Sequence, residues 1–206
     1  PEVFIGIAEK HGQIAKLGYL QFRKVCKFIK EHPQIMEKIG SIKYNLSPLE
    51  LLKPGYSKKL LRTIEEFDIP FSYFQFEITE TVATEYSEAL YQTIADFRKS
   101  GIQICLDDFG SGYANLNTVL KLPFSTIKLD RSLLNGICYD DQVALLYKNI
   151  VAVMQNLGHK VVAEGVETQK EIDLLKQWGV DFVQGYYYTK PLDSEQIIHK
   201  LEEDVC

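Results

Sequence analysis

The sequence of 206 residues lacks several features that would restrict its class. It contains no apolar run near the roughly 20 residues of a membrane-spanning helix, and its first residues do not resemble a signal peptide. An excess of basic charge is also missing, because 23 Lys and Arg stand against 28 Asp and Glu. A net charge of −5 argues against a surface that coats nucleic acid, so an anionic ligand would be held by local groups. The four cysteines have no C-x-x-C spacing, which favours free thiols in a reducing cytoplasmic compartment.

The chain instead shows strand patterns that alternate with helical ones. Hydrophobic residues make up 46% and charged residues 25%, which is typical of a globular protein, and no break in composition divides residues 1–206 into two domains. Residues 3–31 have apolar positions at helical spacing, with a break near Gly12 and an end at Pro33. Strands are predicted at 42–46, 73–78, 102–106, 126–130, 160–165 and 181–186. Further helices are predicted at 57–67, 85–99, 114–121, 140–157 and 168–178, with a last helix capped by Ser194.

Six strands, each followed by helical sequence, predict a parallel sheet with helices outside it. Two architectures are compatible with that order: an open sheet with helices on both faces, and a closed barrel. The strands are apolar on one face and polar on the other near their carboxyl ends, whereas an open sheet covered on both sides would be apolar on both faces. We therefore predict an α/β fold of the TIM-like (β/α)8 type, with its polar groups at the C-terminal mouth. Because such barrels have about 250 residues, roughly the first two strands are expected to lie before Pro1, in a longer polypeptide.

The stretch Cys105–Tyr113 places two adjacent carboxylates between an apolar strand and a turn with two glycines. Adjacent carboxylates repel each other at neutral pH unless positive charge lies beside them. Two interpretations remain open from these residues: a hard metal cation, or a strand end followed by an Asp-rich helix cap. Regular alternation sends Asp108 to the face opposite Asp107, so Asp108 can join a site only if the strand bends, which Gly110 would permit.

Oxygen-bearing side chains share the polar face on four different strands. Each of them alone is most simply a satisfied polar contact, but four together would be a costly cluster unless cations neutralise it. All-oxygen ligands favour Mg²⁺ or Mn²⁺, and the four histidines lie away from the strand ends, so zinc is not expected. The cation among these groups is Lys128, which either forms a buried ion pair with Asp130 or Glu164 or acts in catalysis. The four oxygen-bearing residues are Asn45, Glu77, Asp107 and Glu164.

Six motifs, in order along essentially the whole chain, resemble those of the EAL-domain cyclic-di-GMP phosphodiesterases. The resemblance implies a metal-dependent hydrolase that uses two Mg²⁺ or Mn²⁺ ions to open one phosphodiester of cyclic-di-GMP, giving linear pGpG, in bacterial signalling. It also implies a homodimer and an upstream sensory or regulatory domain, which could anchor the longer protein to a membrane. The motifs are Asn45-Leu46-Ser47, Phe76-Glu77-Ile78-Thr79-Glu80, Asp107-Asp108-Phe109-Gly110-Ser111-Gly112-Tyr113, Ile127-Lys128-Leu129-Asp130, Val162-Ala163-Glu164-Gly165-Val166-Glu167 and Gln184-Gly185-Tyr186.

The same resemblance implies a role for each site residue. Asn45, Glu77 and Asp107 would hold one metal ion, and Asp107 would bridge to a second ion that Asp108 also holds. Lys128 and Glu164 would orient and deprotonate the water. Glu80 would brace the loop after Asp108, and Gln184 would lie beside the substrate.

The Glu-Ala-Leu segment that gives the family its name is absent from this sequence. It carries a metal-binding Glu and a phosphate-contacting Arg, on a strand that we expect before Pro1. A non-catalytic member that binds cyclic-di-GMP or a partner protein is therefore the alternative. An unrelated metal-dependent phosphodiesterase of the barrel type is a third and more remote interpretation, because the order of the motifs disfavours it.

Overall fold

Strands and helices alternate along the computed structural model, which describes residues 7–8, 10–80, 88–112 and 116–203. The strands are β1 (Ile42–Asn45), β2 (Phe74–Thr79), β3 (Gln103–Phe109), β4 (Thr126–Leu129), β5 (Lys160–Glu164) and β6 (Phe182–Gln184). The helices are α1 (Ile14–Glu31), α2 (Gln34–Lys38), α3 (Pro48–Leu51), α4 (Tyr56–Glu66), α5 (Glu88–Lys99), α6 (Leu116–Lys121), α7 (Arg131–Leu134), α8 (Asp141–Asn156), α9 (Gln169–Gln177) and α10 (Ser194–Glu203), with a 3-10 turn at Phe71–Tyr73. Within these residues, no helix combines the length and apolar character that crossing a lipid bilayer requires.

Each predicted strand has an observed counterpart, while the short helices α2, α3 and α7 were not predicted. The main difference is β3, which continues to Phe109 instead of ending at residue 106. Several predicted positions lie outside the described residues, namely 3–6, 85–87, 114–115, Thr81 and Tyr113.

The chain forms two compact units. The first comprises Pro1–Ile78 with Glu85–Ile104, and the second comprises Thr79–Thr84 with Cys105–Cys206. Each unit is built around parallel strand pairs, as the alternation of strands and helices predicts.

The first unit has an aromatic core between α1 and the pair β1–β2. Phe22 of α1 is fully buried, and its ring centre lies 5.0 Å from that of Tyr44 and 5.9 Å from that of Phe76. Phe97 of α5 meets Phe76 edge to face at 4.8 Å. Because β1 and β2 pair in register, with Tyr44 opposite Phe76, these side chains share one face and leave Lys43 and Asn45 exposed on the other.

The second unit is a parallel sheet in the order β3–β4–β5–β6. One face of its central strands is formed by buried apolar side chains, which are Ile127, Leu129, Val161 and Ala163. The helices that follow begin at side-chain caps: Asp130 accepts a hydrogen bond from Ser132 N, and Asp140 accepts from Gln142 N. The first of these caps places the start of α7 directly after β4, the strand that carries Lys128.

The cap of the last helix corrects one prediction. Asp193 Oδ1, not the Ser194 hydroxyl, accepts hydrogen bonds from the backbone N–H groups of Glu195 and Gln196. The Gln196 side chain in turn accepts from Asp193 N, which completes a reciprocal capping box. Both residue types are good caps, and the glutamine three positions after Asp193 was the signal that distinguishes them.

Candidate metal and catalytic site

The predicted ligand set divides between the two units: Asn45 and Glu77 belong to the first, and the other site residues to the second. In the first unit, Asn45 lies directly opposite Glu77 at the carboxyl end of the strand pair. Asn45 is exposed, whereas Glu77 is only 5% exposed. Lys43 Nζ lies 4.0 Å from Glu77 Oε1, so this carboxylate has a cation beside it. The pair β1–β2 therefore presents two neighbouring oxygen donors.

A β-bulge places Asp107 and Asp108 at one position of the second unit's sheet. Leu106 lies opposite Ile127 and Phe109 lies opposite Leu129, so three steps along β3 match only two along β4. Asp108 takes up the extra residue with a left-handed φ of 56°, a conformation that Asp tolerates better than most side chains. The condition that the sequence set for Asp108, a bend in the strand, is therefore met, because the strand does not alternate regularly there.

The bend occurs at Asp108 itself, before the glycine in which it was expected. Gly110 then adopts a φ of 93°, and a Cβ atom there would come within 2.4 Å of Leu133 Cδ1. Glycine is needed at this position for both its conformation and its size.

Lys128 is buried between two carboxylates. Its Nζ atom lies 2.6 Å from Asp107 Oδ1 and 2.8 Å from Glu164 Oε1, and the residue is only 3% exposed. Of the two ion-pair partners suggested by the sequence, Glu164 is observed and Asp130 is not, since the Asp130 carboxylate caps α7 instead. The additional partner Asp107 comes from the neighbouring strand β3.

Three carboxylates converge in the second unit. One oxygen each from Asp107, Asp108 and Glu164 lie within 4.8 Å of one another. Burial raises the pKa of Glu164, although Lys128 opposes that shift; burial also raises the pKa of Asp108, with the negative charge of Asp107 adding to it. A bound cation would stabilise the ionised forms of these carboxylates, which burial disfavours. Carboxylate oxygens are also the ligands that hard divalent cations prefer. The residues present thus fit a metal ion of the Mg²⁺ or Mn²⁺ type.

Glu80 lies beside the turn that follows the bulge. Its Oε2 atom accepts a hydrogen bond of 3.1 Å from Gly110 N, and the residue is 5% exposed. The carboxylate satisfies a backbone donor that the sharp turn withdraws from the strand ladder.

Gln184 is the neighbour of Glu164 on the next strand. It lies opposite Glu164 in the β5–β6 register and is exposed. Its carbonyl oxygen accepts from Val166 N at 3.2 Å, and the Val166 carbonyl oxygen accepts from Tyr187 N at 3.0 Å. A Cβ atom on Gly185 would come 2.1 Å from that same carbonyl oxygen, so only glycine permits the two backbone segments to approach this closely.

One ion pair at the carboxyl ends of β4 and β5 was missed from the sequence. Arg131 Nη1 lies 2.9 Å from Glu167 Oε1, with the two side chains 56% and 41% exposed. A helix cap at Asp130 and a capping box at Thr168–Glu171 were the available signals, since together they place Arg131 and Glu167 at the same end of adjacent strands.

Comparison with known proteins relates this arrangement to one family. Residues 1–191 match the family model described as the EAL domain. The chain is 29% identical over 198 residues to the bifunctional diguanylate cyclase/cyclic di-GMP phosphodiesterase MucR of Pseudomonas aeruginosa, covering 96% of the chain and 29% of MucR. The chain spans about a quarter of the length of the first curated relatives it matches.

Solved structures agree with this relationship. The PaMucR phosphodiesterase in complex with c-di-GMP superposes with a TM-score of 0.86 at 29% identity, covering 96% of this chain and 80% of that one. The EAL domain of Mycobacterium smegmatis DcpA gives a TM-score of 0.83 at 27% identity, covering 92% and 86%. This likeness confirms the predicted α/β fold of the TIM-like barrel type.

Proposed function

Because this chain belongs to the EAL domain family, we propose that it hydrolyses one phosphodiester bond of cyclic-di-GMP and releases linear pGpG. The observation that carries the proposal is the convergence of Asp107, Asp108 and Glu164 around a buried lysine in the second unit. Relatives whose names specify cyclic di-GMP phosphodiesterase activity support the choice of substrate. The reaction would belong to bacterial second-messenger signalling.

The proposed cofactor is Mg²⁺ or Mn²⁺, with two ions in the complete domain. Asp107 and Asp108 would be metal ligands in the second unit, and Asn45 and Glu77 would be oxygen ligands in the first. Such ions, when bound, polarise the phosphodiester and lower the pKa of water. The donor set supports this choice because it consists of oxygens alone.

Glu164 and Lys128 are the residues to which we assign the proton chemistry. Burial makes the Glu164 carboxylate a stronger base than an ordinary glutamate, so it is suited to remove a proton from the attacking water. Lys128 fixes the carboxylate through the 2.8 Å contact. The water oxygen then forms a bond to phosphorus as the bond from phosphorus to one ribose oxygen breaks, and that oxygen takes a proton from solvent to become the free hydroxyl of pGpG. Glu80 would support the turn after the bulge, and Gln184 would line the substrate pocket.

A non-catalytic role is the second candidate, and one observation favours it. Lys128 already neutralises part of the acidic cluster, so the second unit can exist without a metal ion and could serve as a sensor of cyclic-di-GMP. The deciding experiment incubates the full-length protein with cyclic-di-GMP and Mg²⁺ or Mn²⁺ and follows pGpG by chromatography. Turnover that EDTA abolishes supports the enzyme. Binding measured by calorimetry without any pGpG would establish the sensor instead.

We also propose a homodimer, a longer parent protein with an upstream regulatory domain, and a cytoplasmic site of action. Exposed apolar side chains on α8 support the dimer, since such a stripe is a typical contact surface. The greater length of MucR supports the regulatory domain, and the lack of C-x-x-C spacing among the four cysteines is consistent with a reducing compartment. Sedimentation of the full-length protein tests the dimer. The exposed residues on α8 are Leu145, Leu146 and Val153, followed by Leu157 at its end.

A further inference from the structure

We propose that Arg131 is a positioning residue, which holds the Asp107–Asp108 bulge and Glu164 at a fixed separation. It would act through the segment Asp130–Leu133, which follows β4 and contacts the carboxyl ends of both neighbouring strands. The catalytic consequence rests on the proposed hydrolysis, whereas the mechanical role of the segment can be tested without it.

Toward β3, the segment makes three contacts with the turn that follows the bulge. Asp130 N donates to the carbonyl oxygen of Phe109 at 3.1 Å, and Ser132 Oγ donates to the carbonyl oxygen of Gly110 at 3.4 Å. The Leu133 side chain fills the space beside Gly110 so closely that no Cβ atom fits there. The bulge is therefore held from its C-terminal side by α7.

Toward β5, Arg131 makes two side-chain contacts. Its aliphatic stem packs against Gly165, where a Cβ atom would come 2.5 Å from Arg131 Cγ and 2.7 Å from Arg131 Cβ. Its guanidinium group binds Glu167 at 2.9 Å. Gly165 has a φ of 71°, so the backbone turns sharply directly after Glu164. Arg131 thus contacts the residue after Glu164 and, two positions further on, the end of the same turn.

Arg131 is connected to Lys128, Asp107 and Glu164 through the segment to which it belongs and the turn that it contacts. Lys128 lies three residues before Arg131 on the same strand end and binds both Asp107 and Glu164. Loss of Arg131 would free the Gly165 turn and let the Glu164 carboxylate drift from Lys128. A displacement of about 1 Å is enough to reduce turnover strongly, because the reacting groups must be aligned. A half-exposed ion pair contributes little to global stability, so the effect should be local.

A matched control is available at the opposite end of β5. Lys160 Nζ lies 2.7 Å from Asp181 Oδ1, and the lysine side chain is 64% exposed, close to the 56% of Arg131, while Asp181 is 15% exposed. It joins β5 to the start of β6, away from the carboxyl ends. Lys160→Ala therefore removes a comparable ion pair without touching the segment Asp130–Leu133.

The test compares Arg131→Ala, Arg131→Lys, Glu167→Gln and Lys160→Ala in the full-length protein by hydrogen exchange and by kinetics. We expect Arg131→Ala to speed amide exchange in peptides covering residues 107–112 and 164–168, with the melting temperature within about 4 °C of wild type. Its kcat should fall at least about tenfold with KM within about threefold, as expected for misalignment. Arg131→Lys, which keeps the stem, should recover part of kcat, and Lys160→Ala should leave both peptides and kcat unchanged.

The outcomes separate this inference from the proposed function. Unchanged exchange in both peptides of Arg131→Ala overturns the positioning role, whether or not the wild type is active. Changed exchange with unchanged kcat also overturns it, because the segment would then not align the reacting groups. A rise in KM alone would make Arg131 a substrate anchor and contradict the inference. A wild type without turnover refutes the hydrolase, while the exchange data still decide whether Arg131 holds the two strand ends.

Discussion

Lys128 Nζ lies 2.6 Å from Asp107 Oδ1 in a buried ion pair, directly opposite the bulge that brings Asp108 to the same level of the sheet. The lysine supplies positive charge to carboxylates that would otherwise repel each other.

Removal of Lys128 should destabilise the metal-free protein more than removal of an exposed lysine. Lys128→Ala leaves the buried Asp107 and the partly buried Glu164 without their cation, a change that typically costs about 3–5 kcal/mol. Lys160→Ala removes an exposed lysine whose partner Asp181 keeps hydrogen bonds from Gln155 and Val161, so it should cost about 1 kcal/mol or less. Urea unfolding in EDTA measures both. Equal losses in the two variants would show that the Lys128 pair contributes no more than a surface contact.

Substitutions of the two neighbouring aspartates should have opposite effects on the stability of the metal-free protein but the same effect on its activity. Asp108→Asn removes a charge that burial and Asp107 disfavour, so the metal-free protein should become more stable. Asp107→Asn should unfold more easily than wild type, because the ion pair with Lys128 is lost.

Both substitutions, and Glu77→Gln in the first unit, should abolish Mg²⁺-dependent release of pGpG. Thermal melts in EDTA and a chromatographic assay of pGpG check the two parts. Full turnover by Asp107→Asn would exclude that residue as a metal ligand.

Calcium should compete with Mg²⁺ and inhibit. Ca²⁺ accepts more ligands at longer distances and in looser geometry, so it can bind the same oxygens without placing the reacting groups equally well. Turnover of cyclic-di-GMP at fixed Mg²⁺ should therefore fall as Ca²⁺ is added, and excess Mg²⁺ should restore it. Equal rates with either ion alone would argue against a site that depends on metal geometry.

Substitution of Glu164 should separate binding from chemistry. A group that accepts a proton acts mainly in the transition state, so Glu164→Gln should bind cyclic-di-GMP within about tenfold of wild type. Its kcat should fall by at least about 10², the lower range for general acid–base catalysis. Calorimetry and single-turnover kinetics provide the two values. Parallel loss of binding and turnover would instead identify Glu164 as a ligand or an anchor.

The metal-free protein should lose stability as pH rises through the range in which Glu164 ionises. Its pKa in the folded state is raised by burial above the ordinary value of 4.5, so the folded state holds this proton more tightly than the unfolded one. The contribution is fully present below the unfolded pKa and is lost as pH rises through the folded pKa. The urea concentration at the unfolding midpoint, measured in EDTA, should fall less steeply with pH over that interval in Glu164→Gln than in wild type. An unchanged dependence on pH would contradict the assignment to Glu164.

Much of the fold could be predicted because its signals are local. Alternation in β2 and β4 placed Phe76 and Leu129 on the apolar face, and both are buried. The position of Asp108 could not be predicted, since a bulge depends on the pairing of two strands rather than on one. The ion pair of Lys128 could not be predicted for the same reason. The face on which Lys128 lies was evident from alternation, but its pairing with Asp107 and not Asp130 depends on the bulge and on the helix that Asp130 caps.

Because of the bulge, the acidic cluster can be changed without changing the pairing of the strands. Because Asp107 and Asp108 share one position opposite Lys128, deletion of Asp108 would restore an ordinary ladder, with Leu106 still opposite Ile127 and Phe109 still opposite Leu129. The sheet would keep its register while the cluster lost a carboxylate. Deletion of this one residue would therefore remove a proposed metal ligand and leave the pairing of β3 with β4 intact.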